Sequence, residues 1–226
     1  MSVYYRGKRA QSYDQRYQHF TACTLSETLA LLNVEAIAER AQKDRRVPRL
    51  LDVACGTGVL LSLLHERFPT AELSGMDSSQ DMLAQAQARL YGIAHLRLEQ
   101  VLIGPDAQAG LPYPSDSFDL ITCTNALNAM PNPVATLADL HRLLVPGGHL
   151  LLEDIAWRLP HFLWGLSNWL ARQVGAGSLH PYTQAEARSL CEQAGFSIRA
   201  SHAFVTDWLW HGWVIHSVKN EVGGRS

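Results

Sequence analysis

The chain has 226 residues, of which 47% are hydrophobic and 18% are charged, and its formal net charge at pH 7 is −2. This length fits one domain with a sizeable core, and the composition is that of a globular protein rather than a disordered one. The near-neutral charge excludes a general attraction to nucleic acid, and the most apolar stretch, residues 155–174, is too often interrupted by polar residues for a membrane span.

The cysteines and the N-terminus indicate a cytoplasmic protein. The four cysteines, at positions 23, 55, 123 and 191, include no closely spaced pair, so structural disulfides are not expected. The N-terminus has no apolar signal core. No group of His, Cys and Asp residues has the spacing of metal ligands, so we predict no metal. Monomer and homodimer both stay open.

Residues 1–46 are predicted to be a helical lead-in. Residues 1–23 are polar and aromatic and predict an irregular or short helical segment. Thr24 and Glu27 fit a capping box that would begin a helix with apolar residues at helical spacing. The densest group of basic residues follows, and we interpret it as a solvated helix end rather than a binding patch: Arg40, Lys43, Arg45 and Arg46.

From residue 47 onward, short apolar runs alternate with amphipathic helices. The predicted strands are residues 50–54, 72–76, 95–100, 118–124 and 149–154. A turn at Pro146-Gly147-Gly148 leads into the fifth of them. This alternation is typical of an α/β fold with a Rossmann-like, mostly parallel sheet and helices on both faces.

The C-terminal part adds a helix over residues 183–194 and two strands near 198–205 and 213–218, which predict an antiparallel hairpin. The sheet would then have seven strands. We divide the single domain 1–226 into four parts: the lead-in 1–46, a core 47–155, a cap segment 156–181 and a helix with hairpin 182–226.

A glycine-rich turn, Asp52-Val53-Ala54-Cys55-Gly56-Thr57-Gly58, joins the first predicted strand to a helix. Glycines allow a ligand to approach the backbone closely, and a helix N-terminus offers free N–H groups. Asp77 ends the next strand, where a carboxylate can accept both hydroxyls of an adenosine ribose. The turn alone could be a packing device, but together with Asp77 it favours a nucleotide site.

The turn resembles motif I of the class I S-adenosylmethionine-dependent methyltransferases. Three later segments resemble further motifs of that family in the same order: Gly75-Met76-Asp77-Ser78-Ser79 with Met82-Leu83, Leu111-Pro112-Tyr113 with residues 117–121, and Leu143-Leu144-Val145-Pro146-Gly147-Gly148. The lead-in Ser12-Tyr13-Asp14 is similar to that of the small-molecule branch, which includes the ubiquinone and menaquinone biosynthesis enzymes.

The resemblance implies S-adenosylmethionine as the cofactor and methyl transfer as the reaction. It assigns the cofactor to Asp52, Ala54, Cys55, Gly56, Gly58, Asp77, Ser78, Met82, Asp106, Ala107 and Thr124. In this assignment Asp52 and the turn hold the methionine part, Asp77 holds the ribose, and Thr124 lies near the sulfonium. Asp106 and Ala107 would contact adenine, although Gln100-Val101 stays open as an alternative.

The acceptor is expected to be small and largely apolar, with its reacting atom open. All six tryptophans lie in the last third of the chain, where relatives of this kind often carry a cap over the acceptor. We predict that Trp157, Trp164 and Asn128 bind the substrate, although the aromatic residues could instead pack the cap or form a dimer face. The catalytic residue is unknown, and the candidates for a general base are His161, His180, Tyr13 and Tyr182.

Two other functions are weighed against methyl transfer. One is a non-catalytic S-adenosylmethionine- or nucleotide-binding protein with the same fold, which the cofactor motifs alone do not exclude. The other is a nicotinamide-dependent oxidoreductase. It is disfavoured because the turn lacks the Gly-x-Gly-x-x-Gly spacing of dinucleotide-binding proteins.

Overall fold

The structure is a computed structural model that describes residues 7–103, 110–157, 180–207 and 210–221. The helices are α1 (Lys8–Gln11), α2 (Tyr13–Ala30), α3 (Val34–Lys43), α4 (Val59–Arg67), α5 (Gln80–Arg89), α6 (Pro133–Leu143) and α7 (Gln184–Gln193). The strands are β1 (Arg49–Val53), β2 (Glu72–Asp77), β3 (Leu96–Gln100), β4 (Phe118–Thr124), β5 (Leu144–Trp157), β6 (Phe196–Val205) and β7 (Trp210–Lys219). None of these helices has the length and apolar character that crossing a membrane requires.

The strands form one seven-stranded sheet in the order β3-β2-β1-β4-β5-β7-β6. The first five strands in this order are parallel, and β7 pairs antiparallel with both β5 and β6. The predicted Rossmann-like sheet with its C-terminal hairpin is therefore confirmed. Because β1, β2 and β4 are neighbours and parallel, their carboxyl ends meet at one edge, and this edge carries the predicted site.

Two apolar layers cover the two faces of the sheet. On one face Ile121 and Trp213, both fully buried, belong to the same cluster as apolar residues of α6 and α7. On the other face Leu50 and Leu120 pack with apolar residues from α2, α3, α4 and α5. Strands covered on both faces need apolar residues at successive positions rather than at alternate ones, which is the pattern that β1 and β4 show in the sequence.

The predicted capping box at Thr24 and Glu27 is wrong. Thr24 lies inside α2, is fully buried and donates its hydroxyl hydrogen to the Thr21 carbonyl at 3.3 Å. The helix start lies after α2 instead. There the Asn33 side chain accepts a hydrogen bond from the Ala36 N–H and caps the N-terminus of α3. A buried threonine can satisfy its hydroxyl on the preceding helical turn, so its presence did not require a helix start.

The predicted turn at Pro146-Gly147-Gly148 lies inside β5 as an irregularity. Phe118 pairs with Leu144 while Leu120 pairs with His149, so β5 has extra residues between these two pairs. Gly147 takes a φ of +76°, a value that glycine adopts without steric cost. The fifth strand consequently begins before the turn, at residue 144 rather than at 149. The same residue types occur in bulges and in turns, which explains why the predicted start of this strand was wrong.

Arg46 is not a solvated member of a basic cluster. Its guanidinium donates to both carboxylate oxygens of Asp119, at 2.5 and 2.7 Å, and Asp119 is fully buried on β4. The Arg49 N–H adds a third hydrogen bond to the same carboxylate at 2.9 Å. Two parallel N–H···O bonds from one guanidinium are the strongest form of this pairing. The connector after α3 is therefore fastened to the middle of the sheet.

We expect Arg46→Met to lower the free energy of unfolding by about 3 kcal/mol, because it leaves the buried Asp119 charge without its partner. Urea unfolding followed by circular dichroism measures the change. Lys43→Met, an exposed residue in the last turn of α3, is the matched control and should change stability little. Equal effects of the two substitutions would contradict a structural role for the ion pair.

Candidate functional site

A cavity opens where the carboxyl ends of β1, β2 and β4 meet. The residues that line it come mainly from helix α2, the glycine-rich turn, the end of β2, the segment after β3 and the end of β4. The predicted cofactor residues found in its wall are Asp52, Ala54, Cys55, Gly56, Asp77, Ser78, Met82 and Thr124. The parallel topology thus brings together residues that are up to about seventy positions apart in the chain, as expected for a ligand site at this edge of such a sheet.

The turn takes left-handed backbone conformations at three positions. Ala54, Gly56 and Gly58 have φ values of 60°, 54° and 77°. Gly58 caps α4 and does not line the cavity. A Cβ there would lie 3.1 Å from the Cβ of Ala86 on α5, so this glycine is needed for packing. Ala54 also lines the cavity. Because alanine has a Cβ atom, its left-handed conformation costs about 1–2 kcal/mol.

Asp77 joins the turn to the end of β2. Its Oδ2 accepts a hydrogen bond from the Gly56 N–H at 2.9 Å, and its Oδ1 accepts one from the Ser79 N–H at 2.8 Å. Burial raises the pKa of this carboxyl, and these hydrogen bonds oppose the rise. A carboxylate offers about four acceptor positions, so Asp77 can still accept a hydrogen bond from a ligand in the cavity.

Asp52 is the second carboxyl in the cavity wall and is almost fully buried. Its Oδ1 accepts a hydrogen bond from the Thr122 hydroxyl at 2.7 Å. Burial raises the pKa of Asp52 to about 7, the Asp77 charge adds to the rise, and the Thr122 hydrogen bond opposes it. Two carboxyls that face one cavity favour a ligand that carries positive charge or donates hydrogen bonds.

Helix α2 forms one side of the cavity. Tyr13 and other residues of α2 line it, so Tyr13 is the one described base candidate that reaches the site. The next residue, Asp14, accepts a hydrogen bond from the Thr57 hydroxyl at 2.6 Å and forms an ion pair with Arg89. Arg89 in turn donates to the Thr57 carbonyl at 2.9 Å. We call this trio the Asp14 latch; the sequence offered no signal for it beyond the resemblance of Ser12-Tyr13-Asp14.

Asn128, His180 and Tyr182 are not in the wall of this cavity. The Asn128 side chain donates to Asp154 Oδ1 at 2.7 Å, and its backbone N–H donates to Asp154 Oδ2 at 2.8 Å. The His180 N–H donates to the Asn128 carbonyl, and the His180 ring packs against Tyr182. The backbone groups and the side-chain N–H₂ group of Asn128 are therefore already engaged within the protein, which weakens its assignment to the substrate.

Several predicted residues cannot be placed. Asp106, Ala107, His161 and Trp164 lie outside the described residues, and of Trp157 only the backbone, at the end of β5, is described. The alternative for the adenine position is partly present, since Val101, Leu102 and Ile103 line the cavity. Gln100 instead donates its side-chain N–H to the Ser78 carbonyl at 3.0 Å.

Comparison with known proteins gives a family. Residues 17–201 match the family model described as a methyltransferase domain. The chain is 32% identical over 185 residues to a demethylmenaquinone methyltransferase of Thermus thermophilus, covering 74% of this chain and 80% of that protein. It is 32% identical over 136 residues to a trans-aconitate 2-methyltransferase of Methylobacterium nodulans, covering 58% of this chain and 49% of that protein.

Solved structures agree with the fold. A putative methyltransferase of Haloferax volcanii, in complex with the activator Trm112, matches with a TM-score of 0.70 at 18% identity, covering 97% of each chain. A putative methyltransferase of Bacillus halodurans matches with a TM-score of 0.62 at 18% identity, covering 83% of this chain and all of the other. These two structures show the fold, and the family follows from the methyltransferase-domain match over residues 17–201 and from the Thermus thermophilus relative: the chain belongs to the class I S-adenosylmethionine-dependent methyltransferases.

Proposed function

We propose that this enzyme transfers the methyl group of S-adenosylmethionine to a small, largely apolar acceptor. The observation that carries the proposal is a pair of carboxyls, the buried Asp52 and the half-buried Asp77, in the wall of a cavity at the edge of the sheet. S-adenosylmethionine has two cationic groups and two ribose hydroxyls, so acceptor atoms with spare lone pairs complement it.

Within this cavity we assign roles to residues of four parts of the chain. Asp77 accepts the ribose hydroxyls with its free lone pairs, because its other lone pairs already fix its orientation on the backbone. Asp52 and the turn after β1 hold the methionine part, and Thr124 lies near the sulfonium. Val101 and its neighbours provide an apolar wall for the adenine. Asp106 and Ala107 remain candidates for the same contact.

When bound, the cofactor supplies an activated methyl group on a sulfonium. The protein then has to align the acceptor with the methyl carbon and the sulfur and to exclude water. Helix α2 contributes to both tasks, since its residues Tyr13, Thr21 and Leu25 line the cavity and the Asp14 latch holds the helix against the turn. A general base is required only for an acceptor that must lose a proton.

For the acceptor, we propose that the cap segment 156–181 encloses it, with Trp157 and Trp164 as contacts. The two named relatives act on demethylmenaquinone and on trans-aconitate, both small molecules, and this supports a small-molecule acceptor here. We further propose a protein without a nucleic-acid partner, acting in the cytoplasm as a monomer or homodimer. The described cysteines are all free thiols, as in proteins of a reducing compartment.

Isothermal titration calorimetry tests the cofactor. We expect binding of S-adenosylmethionine and of S-adenosylhomocysteine and none of NAD. Asp77→Ala should weaken cofactor binding by about 1.5–3 kcal/mol, the range for hydrogen bonds to a charged group. Glu72→Ala, an exposed residue at the other end of β2, is the control and should bind as the wild type does. The proposal would be contradicted if the protein bound NAD but neither S-adenosylmethionine nor S-adenosylhomocysteine. Unchanged cofactor affinity of Asp77→Ala would mean that other residues bind the ribose.

The Asp14 latch makes a kinetic prediction. Asp14→Ala removes the acceptor of the Thr57 hydrogen bond and the partner of Arg89, so α2 should open more often. We expect the dissociation rate of S-adenosylhomocysteine to rise about five-fold, equivalent to about 1 kcal/mol for one lost hydrogen bond. Stopped-flow displacement measures this rate, and Arg16→Ala, an exposed residue on the same helix, is the control. An unchanged rate would mean that α2 does not retain the ligand.

The acceptor cap is tested with Trp164→Ala. If Trp164 contacts the acceptor, its loss should lower kcat/KM by an amount equivalent to about 1–3 kcal/mol of transition-state stabilisation. Cofactor affinity should stay unchanged. Tyr91→Ala, which removes a highly exposed aromatic side chain, is the control. Transfer of label from radioactive S-adenosylmethionine to a panel of phenols, quinones, thiols and amines first identifies an acceptor. A large fall in melting temperature with normal kinetics would make the cap a packing element instead.

A further inference from the structure

The carboxyl end of β5 carries a buried acid without a hydrogen-bond partner. Glu153 is fully buried, and neither of its carboxyl oxygens accepts or donates a hydrogen bond within the described parts of the chain. The nearest acid on α2, Glu27, is paired with His202 at 2.7 Å. A buried polar group left unpaired costs free energy, so it calls for a reason in the function or in a missing ligand.

Asn125 places a third unpaired acceptor beside this acid. The Asn125 backbone N–H donates to the Glu153 carbonyl at 3.0 Å, so the two residues are adjacent. Its side-chain N–H₂ group reaches Thr24 Oγ1 at 3.4 Å, whereas its Oδ1 is buried without a partner. The Asn125 backbone N–H also opposes the rise that burial causes in the pKa of Glu153, so the carboxyl lies near this residue. Two neighbouring residues thus carry three acceptor atoms that have no hydrogen-bond partner in the described parts of the chain.

Of these two residues, Asn125 lies in the wall of the proposed cofactor cavity, and Glu153 is connected to that wall through its neighbours. Asn125 and Thr124 both line that cavity, and Thr124 is the register partner of Glu153 in the parallel pair of β4 and β5. Register partners point to the same face of a sheet, so the Glu153 side chain extends beneath α2. The pKa of the Cys23 thiol on α2 is raised first by burial, then by Glu27 and by Glu153, in agreement with this position.

We propose that Glu153 and Asn125 form the polar end of the acceptor site and bind an acceptor that presents a hydroxyl or an ammonium group. This inference rests on the proposed methyl transfer and specifies the acceptor. An apolar cavity orients a small molecule poorly, whereas a few converging polar atoms fix its direction. A hydrogen bond from the reacting end of the acceptor would satisfy the unpaired atoms and hold that end beside Thr124, near the proposed position of the sulfonium.

Binding of three matched probes tests the inference. Calorimetry is performed on the protein saturated with S-adenosylhomocysteine, using 2-naphthol, 2-(aminomethyl)naphthalene and 2-methylnaphthalene, which differ in the group that donates hydrogen bonds. The wild type should bind the two donor probes about ten-fold more tightly than 2-methylnaphthalene, the ratio given by one net hydrogen bond.

The substitutions separate the two kinds of donor. Burial and the Asp154 charge raise the pKa of Glu153, so an ammonium group would bind best to its ionised form. Glu153→Gln keeps an acceptor oxygen but cannot ionise, so it should abolish the preference for the ammonium probe and reduce that for 2-naphthol. Asn125→Ala should weaken both donor probes and leave 2-methylnaphthalene unchanged. Glu27→Gln removes a negative charge from α2 without altering the three acceptor atoms, and it should retain both preferences.

Three results would overturn the inference: equal affinities of the three probes for the wild type, no binding of either donor probe, or unchanged preferences in Glu153→Gln and Asn125→Ala. Each counts against the acceptor site alone, provided that S-adenosylhomocysteine still binds. Failure of the wild type to bind S-adenosylhomocysteine would instead remove the proposed function. Should Glu153→Gln not fold, as judged by its melting curve, Asn125→Ala decides the question alone.

Discussion

The site depends on two backbone hydrogen bonds to one carboxylate. By accepting the N–H groups of Gly56 and Ser79, Asp77 joins the turn after β1 to the beginning of α5. These bonds fix the left-handed turn against the end of β2 and aim the remaining lone pairs of Asp77 into the cavity. The packing of Gly58 against α5 requires the same arrangement, because any side chain there would push the helix away. One interaction therefore couples sheet, turn and helix at the proposed cofactor site.

The buried acids of this protein are stabilised in different ways, and the differences follow their roles. Asp119 has a bidentate Arg46 and serves stability. Asp154 accepts hydrogen bonds from Asn128 and holds the segment after β4. Asp52 has one hydroxyl partner and faces the cavity, while Glu153 has none among the described residues. An acid whose acceptor positions are largely used within the protein, such as Asp119, serves structure, whereas an acid that keeps acceptor positions open can also serve a ligand.

Helix α2 connects the two ends of the proposed reaction site. Its first turn is fixed to the glycine-rich turn through Asp14, and its middle part covers the region of Asn125 and Glu153 through Thr24 and Cys23. The cofactor side and the proposed acceptor side thus share one wall. A movement of this helix would open both, which agrees with the general use of elements held by few polar contacts as covers of active sites.

The sequence by itself determined where strands and helices lie along the chain. Strands that are buried on both faces have continuous apolar runs, and the helices have apolar residues at helical spacing. The sequence also predicted the glycine-rich turn and Asp77, because close backbone approach and a carboxylate at a strand end are local requirements. The acceptor residues of the cap segment stay a prediction, as their positions are outside the described structure.

Only the tertiary structure decided the roles of Thr24, Arg46, Pro146-Gly147-Gly148 and Glu153. A threonine can cap a helix or donate a hydrogen bond to the preceding turn from inside a helix. An arginine in a connector can be solvated or form an ion pair. A pair of glycines can form a turn or a β-bulge. The sheet and the helix packed on it select between these outcomes. Glu153 stands in an apolar run that gives no sign of its surroundings, since burial and the absence of a partner arise from residues distant in the chain.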